Sequence, residues 1–462
     1  MHKSQNLAFF NTIKFTDFIL VLAVFARISH PITADLSYIA LALYSLLGKK
    51  QVIQALMLLW FFNLINPTLS SGTNYSNIFQ YFIFLCCFLS MLIRFANHKI
   101  DRVLLLTIIM SIFFIIHSFF FSQIITISLL KILSWTLVIV TLFMAWLNLS
   151  YEEHIQINQW IIKFLLLIAL LSLPTLFFNN IGYETTGDGF QGILSHPMVF
   201  GPTMSLLGIL LIGSQLEQKK ISLRNMFYLV LVLSLLFISD SRTAGVALFI
   251  SLFLVFLYLI FQKRKIVALI APILSIKFFL ILIVLLIFLF LVDYFTFNFI
   301  KYFITKSGKV EVDNIFEAYQ LSRGPLYEPM FNNIKENIFT GLGFGIASDP
   351  QIMRIKYDPI FNLPISAPVE KGLVPLMVFE ETGIIGFAIF SYWILTLIIR
   401  AKNNGITSML LVICIILLNM SEGTLFSPGG MGMLNLILIT STAYRIKFKI
   451  KDYKFDNLKI NA

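Results

Sequence analysis

Three short stretches carry the residue types able to do chemistry in an otherwise apolar chain. The first, Ser239-Asp240-Ser241-Arg242-Thr243, sets an arginine between two long hydrophobic runs. A guanidinium in that position pairs with Asp240, snorkels to an interface, or binds an anionic group. The second, Ser195-His196-Pro197, opens another run with a proline suited to a first helical turn. His196 there hydrogen-bonds the local backbone, or donates to a sugar or phosphate oxygen where a helix dipole favours anions. The third is a polar stretch from Lys301 to Gly372, rich in Gly, Pro and Asn.

Within that stretch an amphipathic helix is expected over Asn314–Asn337, broken near Gly324-Pro325, with Arg323 just ahead of the break. Phe339-Thr340-Gly341-Leu342-Gly343-Phe344-Gly345 follows. It lacks the preceding strand of a dinucleotide fingerprint. Glycines at this spacing let a backbone turn tightly and approach a ligand closely. Glu380 and Glu381 then stand inside the next apolar run. Ionisable groups in a membrane are costly and face a protein interior or a wet cavity. Pairing with Arg242 or Arg323 is therefore the expected structural role. Lys131, His117 and Asp293 read as packing or helix-end residues.

The elements that position these residues follow from composition. Hydrophobic residues make up 58% of 462 and charged residues 12%. About 20 apolar residues cross a bilayer as a helix, and continuous apolar runs without period-2 alternation favour helices over a barrel. About 14 spans are expected, near 15–29, 35–48, 51–66, 76–93, 102–121, 123–148, 158–178, 197–214, 226–239, 244–261, 266–292, 373–399, 405–420 and 430–444. The short ones at 35–48, 51–66 and 226–239 suit tilted, interfacial or re-entrant helices. The fold class is an all-α polytopic integral membrane protein with one large, partly helical external loop. Its parts are N-terminal helices (1–157), helices bearing the Ser-Arg motif (158–300), the large loop (301–372), C-terminal helices (373–445) and a basic tail (446–462).

Charge sets the expected orientation. Lys49-Lys50, Arg94/Lys99/Arg102, Lys219-Lys220/Arg224, Lys263-Arg264-Lys265, Arg400/Lys402 and the tail from Arg445 fall on one side when the spans alternate. That side is the cytoplasm by the positive-inside rule, with both termini there. Basic residues so placed account for the net charge of +11 without nucleic acid. The first span reads as its own anchor, with no A-x-A-like cleavage site. Three cysteines, two of them adjacent, give neither a disulfide framework nor metal spacing.

In this order, Ser195-His196-Pro197, Ser239 to Ala244, Arg323 ahead of Gly341-Leu342-Gly343-Phe344-Gly345, and Glu381-Thr382-Gly383-Ile384-Ile385-Gly386 resemble the O-antigen ligase and polymerase family of bacterial membrane proteins. The resemblance covers roughly residues 160–445. It implies a multi-pass protein of the plasma (inner) membrane. The reaction implied is transfer of a glycan from a polyprenyl diphosphate to an acceptor hydroxyl at the outer face, with no nucleotide sugar, cofactor or metal. Arg242 and Arg323 would bind the diphosphate leaving group. The substrate-binding set would include Ser241, His196, Gly343, Gly345 and Glu381. Partners implied are the polyprenyl-diphosphate-linked oligosaccharide and membrane lipid, with a chain-length regulator or flippase alongside.

The chain also departs from the family. Ligases of this type carry a histidine base at the end of the large loop, where this chain reads Val369-Glu370-Lys371-Gly372. Glu370 could then take the acceptor proton, and Lys371 could supply a second cation for the diphosphate. That favours a polymerase of O-antigen, capsule or exopolysaccharide. The alternatives are a ligase to a lipopolysaccharide core, and a flippase or transporter of lipid-linked sugar. Transporters commonly show two related halves, and none is seen here.

Overall fold

A computed structural model describes residues 15–70, 72, 76–95, 100–183, 189–218, 222–261, 315–357, 364–367, 369 and 371–444. The expected span at 266–292, Asp293, Lys263-Arg264-Lys265, Glu370 and the basic tail lie outside the described residues. The helices are α1 (Phe15–Ser29), α2 (Pro31–Ser45), α3 (Lys49–Leu64), α4 (Ser76–Phe95), α5 (Arg102–Phe121), α6 (Ile125–Leu147) and α7 (Tyr151–Ser172). They continue with the short α8 (Asn179–Gly182), then α9 (Pro197–Gln218), α10 (Leu223–Ile238), α11 (Arg242–Phe261), α12 (Ile315–Glu336), α13 (Val374–Asn404), α14 (Ile406–Leu418) and α15 (Gly432–Tyr444).

Seven of the described helices are long and apolar enough to cross a membrane, and four shorter apolar helices accompany them. The bundle wears its hydrophobicity outward as well as inward. Ile109, Ile112, Ile116, Phe119 and Phe120 of α5 are all about half exposed or more. Apolar patches of that extent mark a lipid or protein contact. Helix α3 is the opposite case. Every residue from Val52 to Phe62 is buried, as befits an all-round apolar helix at the centre of a bundle. The expected span at 51–66 is therefore a core helix.

Helices α7 and α2 start a turn or more earlier than hydropathy places them. Helix α7 begins at Tyr151 rather than 158, because Ser150 and Glu153 form a reciprocal capping box. The polar first turns hid it from an apolar-run search. Helix α2 begins at Pro31, capped by His30, whose Nδ1 accepts from the Ile32 N–H (3.3 Å).

Hydrogen bonds sort the loops to two ends. At one end Arg94 donates to the Leu46 carbonyl (2.6 Å) and Lys49 to the Asn148 carbonyl (2.6 Å). There too Arg400 grips both carboxylate oxygens of Asp101 (2.6 and 2.7 Å). At the other end the Gln123 N–H, just after α5, donates to the Leu342 carbonyl of the large loop (3.1 Å). Ile65, just after α3, bridges Leu194.

The large loop holds α12 and a small antiparallel pair, β1 (Lys356–Tyr357) with β2 (Pro364–Ser366). Helix α12 runs unbroken through Gly324-Pro325 and Pro329, against the expected break. Each proline removes one backbone donor. Both sit at exposed positions, where water can satisfy a released carbonyl.

The real break is in α13. Gly383 adopts φ 65° and ψ −173° inside it, a conformation that strongly favours glycine. The loop Ile338–Gly343 fills the gap. The Leu342 and Gly343 N–H groups donate to the carbonyls of Glu380 and Glu381 (3.0 and 2.9 Å), and Ile384 N–H donates to the Ile338 carbonyl (2.9 Å). Backbone groups freed from a membrane helix must be satisfied by protein, and here an incoming loop does so. Phe344 anchors it, with ring centroids 5.4 Å from Phe114 and 5.2 Å from Phe426.

A Cβ at Gly383 would overlap the Phe339 carbonyl. Gly383→Ala should therefore cost about 1–3 kcal/mol, read as a fall in apparent unfolding temperature in detergent. Gly245→Ala, where a Cβ meets nothing within 4 Å, should be neutral or stabilising by up to about 1 kcal/mol. Equal effects of the two would show that the break is not a constraint.

Candidate functional site

The Ser-Arg motif is a tight turn between α10 and α11. Ser239 caps α10, its hydroxyl donating to the Leu236 carbonyl (2.6 Å) and accepting from the Ser241 N–H (3.4 Å). Asp240 takes a left-handed φ of 51°, which short polar side chains tolerate better than most. Arg242 opens α11 with its Nε 3.8 Å from Asp240 Oδ1. The Asp240–Arg242 pair weighed from sequence is thus present. A Cβ at Gly201 would strike the Ser241 side chain, so the absence of one lets α9 press against the turn.

That packing places Ser195-His196-Pro197 beside the motif. His196 Nδ1 accepts from the Met198 N–H (3.0 Å), and its carbonyl accepts from Val199 and Phe200. His196 acts on the backbone at the start of α9, the simpler of its two readings.

A second cluster forms where the glycine loop enters α13. Lys371 Nζ lies 2.7 Å from Glu380 Oε2 and 3.0 Å from Glu381 Oε1. The other oxygens take Asn333 Nδ2 (2.7 Å, to Glu380) and the Gly345 N–H (2.6 Å, to Glu381). All three charged residues are buried, Lys371 at 4%, Glu380 at 1% and Glu381 at 2% exposure. Lys131 comes from α6 to donate to the Gly345 carbonyl (2.5 Å), and the His117 ring meets the Thr340 carbonyl (2.6 Å). Both keep the packing role read for them, but as clamps on the glycine loop.

Two expectations change. The carboxylates do not pair with Arg242; they pair with Lys371, because the loop end is drawn in over the helix break. The glycines approach protein backbone and side chains. A Cβ at Gly341 would sit 2.5 Å from the Glu381 carbonyl oxygen, and Gly343 (φ 106°) and Gly345 (φ 71°) press on Ser122 and Lys131. Arg323 lies within α12, and its side chain is outside the described residues, as is Glu370.

The loop after α14 ties the two clusters together. Asn419 Oδ1 accepts from the Thr424 and Leu425 N–H groups (3.1 and 2.8 Å), and Gly423 N–H donates to the Lys371 carbonyl (3.0 Å). A cleft opens there between Ser241 and Thr243 on one wall and Glu422 and Thr424 on the other. Sequence reading did not single out Asn419 or Glu422. The available signal was the polar run Asn419 to Thr424 directly after an apolar helix.

A polytopic helical bundle with a long loop stitched into a broken span defines the class. The O-antigen ligase family model matches residues 227–391. The match agrees with the resemblance read from the motifs: over that segment the chain is similar to O-antigen ligases, and its long apolar helices suit a multi-pass membrane protein. The matched segment holds the Ser-Arg turn, α12, the glycine loop and the helix break. The Ser195-His196-Pro197 stretch precedes it. No curated protein matches the chain.

Removing one partner from a buried ion pair costs about 3–5 kcal/mol, because the other charge is left bare. Lys371→Met should lose about that much, seen as reduced thermal stability in detergent. Adding Glu380→Gln and Glu381→Gln should restore most of it. Wild-type stability in Lys371→Met alone would remove the cluster as a structural lock.

Proposed function

We propose that the protein is a polysaccharide polymerase of the bacterial plasma membrane. It transfers a glycan from polyprenyl diphosphate to a sugar hydroxyl on a second lipid-linked repeat. The observation that carries this reading is Arg242 at a glycine-packed turn, on the bundle end that also holds the large loop and away from Lys49, Arg94 and Arg400. By the positive-inside rule that end faces away from the cytoplasm.

The acceptor oxygen attacks the anomeric carbon as the bond to the diphosphate oxygen breaks. Negative charge grows on the leaving diphosphate, so fixed guanidinium groups at Arg242 and Arg323 stabilise the transition state more than the ground state. Arginine suits the task, since its planar fork pairs bidentately with phosphate and keeps its proton in a partly dry site. Glu370 receives the proton from the acceptor hydroxyl. Lys371, its chain neighbour, serves to position it, because the Lys371 ammonium is already committed to two carboxylates. Ser241 and His196 shape the wall beside Arg242, while Gly343, Gly345 and Glu381 hold the loop in place. The same chemistry serves a ligase whose acceptor is a lipid core, and the absent histidine tilts the choice to a polymerase. The family match gives the flippase alternative no support.

In cells, Arg242→Ala and Arg323→Ala should abolish polymer and leave single repeats on the outer face. Accumulation on the inner face would instead mean a flippase. Arg323→Lys should be nearly as damaging as Arg323→Ala, as a point charge cannot replace a bidentate fork. Full polymer in Arg323→Lys would count against that role. Glu370→Gln should cut transfer about 100-fold or more at normal protein level; wild-type polymer would remove Glu370 as the base.

A further inference from the structure

The tip of the loop after α12, residues 338–340, is held between two helices that face outward. The His117 ring on α5 meets the Thr340 carbonyl (2.6 Å), and the Ile384 N–H on α13 donates to the Ile338 carbonyl (2.9 Å). These helices pack on each other below the tip, where the Trp393 indole N–H donates to Thr107 Oγ1 (2.9 Å). On either side of the tip their outer faces are apolar. Ile116, Phe119, Phe120 and Phe121 of α5, with Ile384 and Ile385 of α13, are 43–71% exposed. Ile338 (43%) and Phe339 (69%) add to the same surface.

Helix geometry sets the depth of the tip. Arg102 opens α5, and Arg400 of α13 grips Asp101 beside it, so the two arginines mark one level at the other end of the bundle. Guanidinium groups stay at or beyond the edge of the hydrocarbon. His117 is fifteen residues along α5 from Arg102, and Ile384 is sixteen residues along α13 from Arg400. At 1.5 Å per residue both stand about 22–24 Å from the arginines. Helix tilt only shortens that distance. A hydrocarbon core is about 30 Å thick, so the tip lies inside it. Irregular backbone at that depth needs protein partners. The carbonyls of Ile338 and Thr340 have them, and the Gly341 N–H donates to the Asn337 carbonyl (2.9 Å). Lys335 is exposed one turn back along α12. A lysine so placed lays its stem over apolar surface and sets its ammonium among headgroups.

We propose that the tip of the large loop is a re-entrant lipid contact in the leaflet on that side of the bundle. Ile338 and Phe339 touch acyl chains, and Lys335 reaches a lipid phosphate. Lipid is the occupant because the tip continues two outward helix faces at a depth where acyl chains are the solvent. The contact also bears on the buried charges. The Leu342 and Gly343 N–H groups, just past the tip, bond the Glu380 and Glu381 carbonyls. A leaflet that holds Phe339 therefore steadies the glycine loop above the Lys371 cluster. None of Arg242, Arg323 or Glu370 enters, so the contact stands or falls apart from the transferase reading.

The test uses the full-length protein in phosphatidylcholine vesicles, with a nitroxide at position 339. The three native cysteines are buried, so the label goes to Phe339→Cys, and uptake by the wild type sets the background. Phe120→Cys gives the lipid reference. Glu328→Cys, at an exposed position of α12, gives the water reference. Electron paramagnetic resonance reads collisions with oxygen, which concentrates in hydrocarbon, and with a neutral nickel chelate, which stays in water. Position 339 should match position 120, with oxygen collisions several-fold above nickel. Lys335→Cys should fall between 339 and 328; a label at 335 as deep as that at 339 overturns the phosphate contact. A nickel excess at 339 puts the tip in water and overturns the proposal. Few collisions with either reagent overturn it too. Spin–spin broadening would then mean that a second copy covers the tip, and its absence that another part of this chain does. Phe339→Trp gives a check without the label. Trp60, Trp135, Trp146 and Trp393 are buried, and the fluorescence gained over wild type should be quenched by lipids brominated on their acyl chains. Quenching by aqueous iodide in its place overturns the contact.

Discussion

One ammonium between two carboxylates holds this architecture together. Lys371 sits at the end of a long polar loop, and Glu380 and Glu381 sit two turns inside a membrane span. Neither carboxylate could be buried there alone, since an isolated charge in an apolar interior is costly by many kcal/mol. Their attraction to Lys371 returns part of that cost only when the remaining oxygens are also satisfied. Asn333 and the Gly345 N–H complete the set. The consequence is spatial. Charge forces the end of the loop, its glycine segment and α12 to converge on one span. The broken backbone at Gly383 gives them somewhere to bond.

From that convergence the site inherits its geometry. Lys371 and Gly423 share a backbone hydrogen bond, so the loop after α14 is fixed relative to the large loop. That loop forms one wall of the cleft whose other wall is the Ser-Arg turn. The turn depends on close helix packing at Gly201 and on Asp240 in a left-handed conformation. The cleft thus has two walls whose separation is set by the fold. Here both walls are set by main-chain bonds and glycine contacts, with few long flexible side chains involved.

Much of this was legible in the amino-acid order. Apolar runs placed most of the described helices, and Lys49, Arg94 and Arg400 gather at one end, because burial and charge act on composition over many residues. The Asp240–Arg242 pair was readable because its members are two residues apart. Partners distant in sequence were harder. Glu380 and Glu381 were expected to meet Arg242 or Arg323, yet Lys371 reaches both through a loop closure that no local pattern announces. The glycine triplet suggested ligand contact, whereas its close neighbours proved to be a helix break, Ser122 and Lys131. The break itself was mislocated. Gly324-Pro325 looks like a stop and is tolerated on an exposed helix face, while Gly383 looks ordinary and interrupts a span. Helix α7 started early because a capping box outweighed hydropathy.

Both ends of the segment from Gly345 to Lys371 are pinned, one by Lys131 and Glu381, the other by Glu380, Glu381 and Gly423. Chain closure entropy grows only slowly with loop length. Residues added or removed between those anchors therefore leave the anchors themselves undisturbed. Inside the anchors, Ile346 and Ala367 also pack on Ile127 of α6, so the exposed part of the stretch is where changes in length leave the helices beneath undisturbed.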